Sequence, residues 1–368
     1  MPRPIQAIIH TDAFQHNLKG LRASAQDARA WAVVKANAYG HGIARVYEGL
    51  RGADGFALLD LDEAQQVRDL GWRGPILLLE GVFEPRDLEL CSRLDLWHTV
   101  HCNEQIDMLS QHKTQIPHRV FLKMNSGMNR LGFAPQLFRS AWTRLNALPQ
   151  VDEISLMTHF ANAEAEGGID QTMRVFEEFT QDLPGERSVS NSGAVLLQSK
   201  REGVSADWVR PGIAIYGSST DYPMHDASHW GLLPCMSLRS RIIATQQLKA
   251  GDVVGYGATF KALEAMTIGI VACGYADGYP RLCPTGTPVL VGGVRTRTVG
   301  RVSMDMITVD LMPLIEKNVR VQIGASVTLW GQDEAGHVLS IDEIALQAQT
   351  VGYELMCGVA SRVGFVVV

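Results

Sequence analysis

Eight short apolar runs between residues 31 and 215, separated by longer amphipathic or polar stretches, constrain the fold of this chain most strongly. Such alternation is typical of strands and helices that build a parallel sheet. Eight parallel units favour an α/β fold with an N-terminal (β/α)8 barrel of the TIM type. The runs are Trp31–Lys35, Gly55–Asp60, Ile76–Glu80, Leu96–Val100, Val120–Met124, Ile154–His159, Arg187–Asn191 and Trp208–Ile215.

The pattern changes after residue 216. From Arg239 onward, runs rich in Val, Ile and Thr are punctuated by Gly, which indicates a second, mostly antiparallel β domain. One of these runs extends over Arg295–Leu311. A single helix is expected over Ser340–Val351, where Ser340 and Glu343 resemble a capping box. We therefore expect a barrel domain over residues 11–236 and a β domain over residues 237–368.

Composition and charge limit the classes of ligand and the compartment. The net charge of −6 offers no basic field for nucleic acid. No stretch approaches the roughly 20 apolar residues of a membrane span, and the apolar N-terminal stretch is too short for a signal segment. The six cysteines form no CxxC pair, so neither a zinc site nor disulfides are expected. The sequence predicts a cytoplasmic protein that binds a small molecule and no metal.

Polar residues stand near the C-terminal ends of most predicted barrel strands. In a barrel, this end of the strands forms the mouth where ligands bind. We interpret Asp60 and Glu80 as residues that merely end their strands, and the others as candidate site residues. The set comprises Lys35, Asp60, Glu80, Lys123, His159, Asn191 and Arg210.

The segment AVVKANAYGHG, residues 32–42, places Lys35 at the end of an apolar strand. Burial disfavours the charged form of a lysine, and a neutral amine is what Schiff-base chemistry requires. A lysine in this position is also compatible with a surface role, in which its stem lies along apolar residues and its amine reaches water. Taken alone, the segment leaves both interpretations open.

The words VVKANAYGHG resemble the cofactor-lysine signature of alanine racemases, which hold pyridoxal phosphate covalently on the lysine. Further motifs similar to those of the family follow in the same order and span nearly the whole chain. Several short matches in one order are far more specific than any single motif. They are LKMNSGMNRLGF, THFANA, NSGA, RPGIAIYG, GYGATF, GYADGY, GRVSMDM and GYE.

The resemblance implies interconversion of L-alanine and D-alanine by two bases, one on each face of the substrate. Lys35 would act on the D-isomer and Tyr256 on the L-isomer. A phenol has an ordinary pKa near 10, so Tyr256 would need a neighbour that stabilises its phenolate or shares its proton. The reaction would supply D-alanine for peptidoglycan or serve alanine catabolism.

Further site residues carry over by motif. The cofactor set implied by the resemblance is Lys35, Tyr39, His159, Asn191, Ser192, Arg210, Gly212, Ile213 and Tyr353. The substrate carboxylate would be bound by Arg130, whose planar fork suits it, and by the backbone amide of Met304. Supporting roles are implied for Lys123, which is carbamylated in some members of the family, for Tyr275 at the entrance, and for Asp305.

Three positions depart from the family pattern: Asn125 stands where many relatives carry an acidic residue, Glu164 where aspartate is frequent, and Phe260 where tyrosine is common. None is a proposed base, so the departures bear on the region around Arg130 and on the entrance. The resemblance also implies that the N-terminal strand, residues 1–10, joins the β domain, and that two subunits pair head to tail and share their active sites.

Three other classes of pyridoxal phosphate protein share parts of this pattern. A fold-related decarboxylase of basic amino acids usually carries a cysteine in a CxxxD-type loop, which the sequence lacks, and broad-specificity racemases are typically exported. A noncatalytic pyridoxal phosphate carrier shares the barrel and the lysine motif but lacks a β domain. The block of residues 239–368, with Tyr256, therefore favours an enzyme.

Overall fold

The computed structural model describes residues 3–114 and 116–368. They fall into two compact units. The first, called the barrel unit below, contains residues 15–38 and 42–215. The second, called the β unit, contains the described residues up to 14, residues 39–41 and residues 216–368.

Eight parallel strands form a nearly closed barrel, which confirms the predicted fold class. Each strand pairs with the next along the chain from β2 to β8, and β9 pairs with β2. Their bounds are β2 Arg29–Val33, β3 Gly55–Leu58, β4 Ile76–Leu78, β5 Trp97–Val100, β6 His118–Lys123, β7 Val151–Met157, β8 Arg187–Ser188 and β9 Trp208–Val209.

Large aromatic side chains of the barrel strands pack against one another. The rings of Trp31 and Trp208 stack with centroids 4.1 Å apart, and Trp97 meets Trp31 edge to face. All three side chains are buried, and burial of rings of this size is a large apolar contribution to stability. The barrel is therefore a packed core, and its strand ends carry the polar groups.

Helices follow most of the strands. None of those in residues 3–114 and 116–368 is long and apolar enough to cross a membrane. Their bounds up to residue 197 are α1 Thr11–Ser24, α2 Lys35–Tyr39, α3 Ile43–Leu50, α4 Leu61–Asp69, α5 Asp87–Leu94, α6 Asn103–Gln111, α7 Pro135–Asn146, α8 Asp170–Thr180 and α9 Ser192–Leu197.

The β unit is built on a mostly antiparallel sheet. The N-terminal strand, β1 Gln6–Ile9, lies between the first strand after the barrel, β10, to which it is antiparallel, and the last strand, β19, to which it is parallel. The remaining bounds are β10 Met236–Leu248, β11 Val253–Val254, β12 Phe260–Lys261, β13 Met266–Val271, β14 Pro288–Val291, β15 Val294–Arg297, β16 Ile307–Asp310, β17 Ser326–Gln332, β18 Val338–Leu339 and β19 Gly364–Val367.

Two expectations for this unit are wrong. The run Arg295–Leu311 is not one strand, because β15 ends at Arg297 and β16 begins only at Ile307. Gly300, whose φ is +75°, is part of the loop between them. After residue 216 the unit also has three α-helices, not one: α10 Met312–Glu316, α11 Ile341–Gln347 and α12 Gly352–Cys357.

Only one of the two predicted contacts of the capping box is present at the start of α11. The Ser340 hydroxyl accepts a hydrogen bond from the Asp342 amide at 3.1 Å, as an N-cap residue does. Glu343 pairs with Arg295 of β15 and ties this helix to the sheet. The predicted capping box is therefore a single cap with a tertiary ion pair beside it.

Candidate active site

Lys35 begins a left-handed helical turn, α2, directly after strand β2. Ala36, Asn37, Ala38 and Tyr39 all have φ between 50° and 54°. Four consecutive non-glycine residues in this region are costly, because the left-handed conformation costs about 1–2 kcal/mol per residue. Strain of this kind collects at functional sites, where the surrounding structure must hold it in place.

Asn37 holds the turn from both sides. Its side-chain oxygen accepts a hydrogen bond from the Ile43 amide at 3.0 Å, and its carbonyl accepts one from the Gly42 amide at 2.8 Å. Its own amide donates to Glu63 Oε1 at 2.6 Å. The turn is thereby fixed to α3 and α4, and the backbone of Lys35 is fixed with it.

We expect Ala36→Gly to raise the free energy of unfolding by about 0.5–1 kcal/mol, because glycine adopts positive φ without the steric cost of Cβ. Ala36 is exposed, so the change opens no cavity. Ala23→Gly, at an exposed position of the right-handed helix α1, is the matched control and should lower it by a similar amount. Urea unfolding measures both changes in the free energy of unfolding. If both substitutions changed it in the same direction, the left-handed turn would be contradicted.

Arg210 and His159 meet within the barrel unit. The Arg210 guanidinium is buried and donates to Ser188 Oγ and to the Thr158 carbonyl, each at 2.6 Å. Its Nη2 also lies 3.4 Å from His159 Nδ1, a long contact. Burial lowers the pKa of Arg210 to about 9, so the guanidinium stays charged at neutral pH. Burial and then Arg210 hold the pKa of His159 well below 6.5, so its imidazole is neutral and accepts through Nδ1.

Lys123 is a buried amine among cations. Its side chain is on β6 and is 7% exposed. Burial, followed by the nearby guanidiniums of Arg210 and Arg130, lowers its pKa to about 8, and Lys35 acts in the same direction. The nearby carboxylate of Glu80 acts in the opposite direction and raises the pKa of Lys123. Excess positive charge at these strand ends favours an anionic ligand.

The loop that carries Arg130 is organised by Asn125. The Asn125 side-chain oxygen accepts hydrogen bonds from the amides of Asn129, at 2.9 Å, and Gly127, at 3.3 Å. Its amide group donates to the Asn129 side chain at 3.1 Å. An acidic residue in this position lacks that last donor. The departure from the family pattern at Asn125 therefore adds a contact within the loop. Arg130, at the end of this loop, is exposed.

Ser192 gathers backbone amides in the barrel unit. Its hydroxyl oxygen is buried and accepts from the Gly212 amide at 2.8 Å and the Ala214 amide at 3.3 Å. Ile213 lies between these two residues in the chain and is buried. Because this oxygen accepts both bonds, the hydroxyl keeps its own proton to donate, and such a donor is suited to a phosphate oxygen. The side chain of Asn191 caps α9 by accepting from the Ala194 amide at 3.1 Å.

The β unit contains the other predicted residues. The rings of Tyr39 and Tyr353 lie 5.7 Å apart, and burial raises the pKa of Tyr39, which keeps its hydroxyl a donor. Tyr256 is on the turn between β11 and β12 and is 73% exposed. Tyr275 and Met304 are 39% and 52% exposed. Their loops are joined by a hydrogen bond from the Ala276 amide to the Met304 carbonyl at 3.0 Å.

One of the two strand-end carboxylates, Asp60, has only a local structural role, whereas Glu80 also acts on neighbouring cations. Asp60 caps α4, because its side chain accepts from the Asp62 amide at 2.7 Å. Glu80 does more than end its strand, since it acts electrostatically on both Lys123 and His101. Its place at the end of β4, two strands from Lys123, was the signal available in the sequence. Asn37, which holds the turn after Lys35, was also missed.

Comparisons with known proteins agree along the whole chain. The family model "Alanine racemase, N-terminal domain" matches residues 9–220, and "Alanine racemase, C-terminal domain" matches residues 235–367. The alanine racemase of Paracidovorax citrulli (strain AAC00-1) is 70% identical over 368 residues, which cover 100% of both chains. That of Albidiferax ferrireducens (strain ATCC BAA-621 / DSM 15236 / T118) is 68% identical and covers 99% of this chain and 98% of its own.

Solved structures show the same similarity. The biosynthetic alanine racemase from Pseudomonas aeruginosa superposes with a TM-score of 0.92 at 43% identity, over 100% of this chain and 99% of that one. The alanine racemase from Acinetobacter baumannii superposes with a TM-score of 0.91 at 34% identity, over 100% of both chains. Both the barrel unit and the β unit therefore have counterparts in these proteins.

Proposed function

The chain belongs to the alanine racemase family, and we propose that it interconverts L-alanine and D-alanine with pyridoxal phosphate and two bases, Lys35 and Tyr256. The observation that carries this proposal is the left-handed turn that fixes Lys35 at the end of β2, beside strand ends with excess positive charge. The carrier alternative is set aside, because the C-terminal racemase domain matches residues 235–367.

The donor set of the barrel unit fits pyridoxal phosphate. Lys35 offers an amine for covalent attachment. The Ser192 hydroxyl accepts from the amides of Gly212 and Ala214 and so keeps its own proton to donate to a phosphate, beside the backbone of Gly212 and Ile213. Arg210 adds positive charge that complements an anion. Tyr39 and Tyr353 of the β unit are proposed to complete the phosphate contacts, and Asn191 and Ile213 remain predicted contacts of the cofactor.

The bound cofactor supplies an electron sink for the negative charge left when the Cα proton departs. The chain must then supply a base on each face of the substrate, because inversion requires removal on one face and delivery on the other. The Lys35 amine would hold or move the proton of D-alanine. The Tyr256 hydroxyl does the same for L-alanine.

Arg210 is proposed to face the pyridine nitrogen. A guanidinium stays charged and gives up a proton with difficulty, so Arg210 would leave the pyridine nitrogen unprotonated and the bound cofactor would be a weaker electron sink. This restrains side reactions such as transamination. The bonds from Arg210 to Ser188 and Thr158, with neutral His159 beside it, support this role because they fix the guanidinium plane.

Arg130 and the Met304 amide are proposed to bind the substrate carboxylate. Arg130 is exposed and offers paired donors, which match the two carboxylate oxygens better than a lysine would. Tyr275 is proposed to line the entrance and Asp305 to support the Met304 segment. The narrow entrance implied for the family would restrict substrates to small side chains such as alanine.

We propose a head-to-tail homodimer in which each active site takes Lys35 from one subunit and Tyr256, Tyr275 and Met304 from the other. These three β-unit side chains are exposed in the single chain, which supports the proposal, because aromatic and methionine residues are enriched at protein interfaces. None of the six cysteines, all of which the structure describes, forms a disulfide, which is compatible with the cytoplasmic location that we propose. The physiological role that we propose is either the supply of D-alanine for peptidoglycan or the catabolism of alanine.

Lys123 is expected to carry a carbamate at pH 8 and to lose it as the pH falls to 6. Its neutral amine attacks CO2, a nitrogen–carbon bond forms, and the nitrogen loses a proton to solvent. With a pKa of about 8, against an ordinary 10.5, about half of this amine is neutral at pH 8 and about 1% at pH 6. The carbamate anion would face Arg130.

Carbon-13 NMR under a fixed pressure of labelled CO2 measures this modification. Lys123→Gln should remove the carbamate signal, whereas Lys113→Gln, at an exposed lysine, should retain it. A signal that is insensitive to Lys123→Gln would contradict the assignment.

Circular dichroism of purified protein with added pyridoxal phosphate tests the proposed function. Separate samples of L-alanine and D-alanine should both lose their signal and reach the same racemic end point. Conversion of neither enantiomer, despite bound cofactor, would reject the proposal.

A further inference from the structure

We propose that Arg362 and Arg3, from opposite ends of the chain, are positioning residues that lock the loops of Tyr275 and Met304 together through Asp277. The inference rests on the proposed function, because it assigns these two loops to the substrate site. Neither arginine contacts the reacting atoms in this scheme. Both act through a carboxylate whose side chain is fully buried.

The Asp277 carboxylate forms ion pairs with the guanidiniums of both Arg362 and Arg3. Arg362 Nε lies 2.8 Å from its Oδ1, and Arg3 Nη2 lies 3.1 Å from its Oδ2. Oδ2 also accepts a hydrogen bond from the Gly274 amide at 2.9 Å. The side chain of Asp277 has 0% exposure, whereas the arginines are 38% and 37% exposed. A buried carboxylate left without its partners is strongly destabilising, so this cluster fixes the segment 274–277.

The same two arginines reach the loop of Met304. Arg362 Nη2 lies 2.6 Å from Asp305 Oδ1, and Arg3 Nη2 donates to the Asp305 carbonyl at 2.7 Å. Each guanidinium therefore bridges Asp277 and Asp305. A planar fork makes such a bridge, whereas a lysine ammonium is a point charge.

Backbone contacts show how tightly the two loops depend on each other. The Tyr275 amide donates to the Ser303 carbonyl and the Ala276 amide to the Met304 carbonyl, each at 3.0 Å. A Cβ on Gly274 would lie 2.3 Å from the Ser303 carbonyl oxygen, so only glycine allows this approach. Any shift of Asp277 therefore moves Tyr275 and Met304 together.

The consequence for catalysis is specific. Loosening this cluster should disturb the entrance residue Tyr275 and the carboxylate-binding amide of Met304 while leaving Lys35, which belongs to the barrel unit, unchanged. Substrate binding should weaken more than the chemical step slows. A variant with a raised KM and a nearly constant kcat has this signature.

Arg362→Gln is the main variant, and Arg297→Gln is its matched control. Arg297 also pairs with a nearly buried carboxylate of the β unit, Asp310, at 3.2 Å, but it bridges neither loop. We expect Arg362→Gln to raise the KM for L-alanine about tenfold and to lower kcat by less than about threefold, with Arg362→Lys recovering part of the loss. Arg297→Gln should leave KM unchanged.

Hydrogen exchange measured by mass spectrometry separates this proposal from the proposed function, because it needs no turnover. Amides of residues 274–277 and 303–306 should exchange faster in Arg362→Gln than in Arg297→Gln. Arg3→Gln, which leaves Arg362 on Asp277, is the milder variant if Arg362→Gln fails to fold. Equal exchange in these segments, or faster exchange with an unchanged KM, would overturn the positioning role. Absence of racemisation by the unaltered protein would instead reject the proposed function.

Discussion

Replacing Lys35 by alanine is expected to lower racemisation of both enantiomers by about four orders of magnitude. The change removes one of the two proposed bases and also the amine that would hold pyridoxal phosphate covalently. Loss of a positioned base alone costs about two to four orders of magnitude, and loss of covalent attachment adds to it. The measurement is the initial rate of change in circular dichroism from each enantiomer.

Lys113→Ala is the control for this experiment, because Lys113 is an exposed lysine elsewhere in the barrel unit. Its rate should match that of the unaltered protein. Lys35→Ala should keep the melting temperature within a few degrees, since truncation of one partly exposed side chain opens no core cavity. A Lys35→Ala protein that retains a tenth of the activity would remove Lys35 from the mechanism.

Tyr256→Phe is expected to lower racemisation by about three orders of magnitude and to make the residual proton exchange one-sided. The phenyl ring keeps the shape of the side chain but has no hydroxyl to move the proton of L-alanine. Lys35 remains, so the Cα hydrogen of D-alanine should still exchange with deuterium oxide, while that of L-alanine should not. Proton NMR of each enantiomer in deuterium oxide measures this difference.

Tyr222→Phe is the matched control, because Tyr222 is a partly exposed tyrosine of the same unit outside the proposed site. It should leave both rates unchanged. Exchange lost from D-alanine instead of L-alanine would reverse the assignment of the two bases. Exchange retained equally for both enantiomers would show that Tyr256 is not a base.

The barrel was predictable because most of its strands, such as β3, β4 and β5, are buried on both faces. Each of the eight predicted apolar runs contains most or all of one observed strand, apart from shifted ends such as those of β2 and β7. In the β unit, the prediction of one continuous strand over Arg295–Leu311 was wrong for a physical reason. Residues rich in Val and Thr continue through a loop whose shape depends on Gly300 and on tertiary contacts. Periodicity alone does not detect such a break.

The site was predictable from its motifs but not from its geometry. The sequence pointed to Lys35, yet nothing in KANAY predicts four left-handed residues, because alanine and tyrosine disfavour that conformation. Contacts from Asn37 to Glu63 and Ile43 maintain it, and these depend on the fold. The bridge from Arg362 to Asp277 and Asp305 joins residues 85 and 57 positions apart in the chain, so no local pattern reveals it.

An isolated heterodimer of Lys35→Ala and Tyr256→Phe subunits tests most directly whether the two residues act together in one site shared between subunits. The two variants would be co-expressed with different tags and the mixed dimer purified through both. In the head-to-tail arrangement, one of its two sites has both Lys35 and Tyr256, so about half of the unaltered activity should return. Activity no higher than that of either variant alone would contradict the shared site, because each subunit would then supply both bases to its own site.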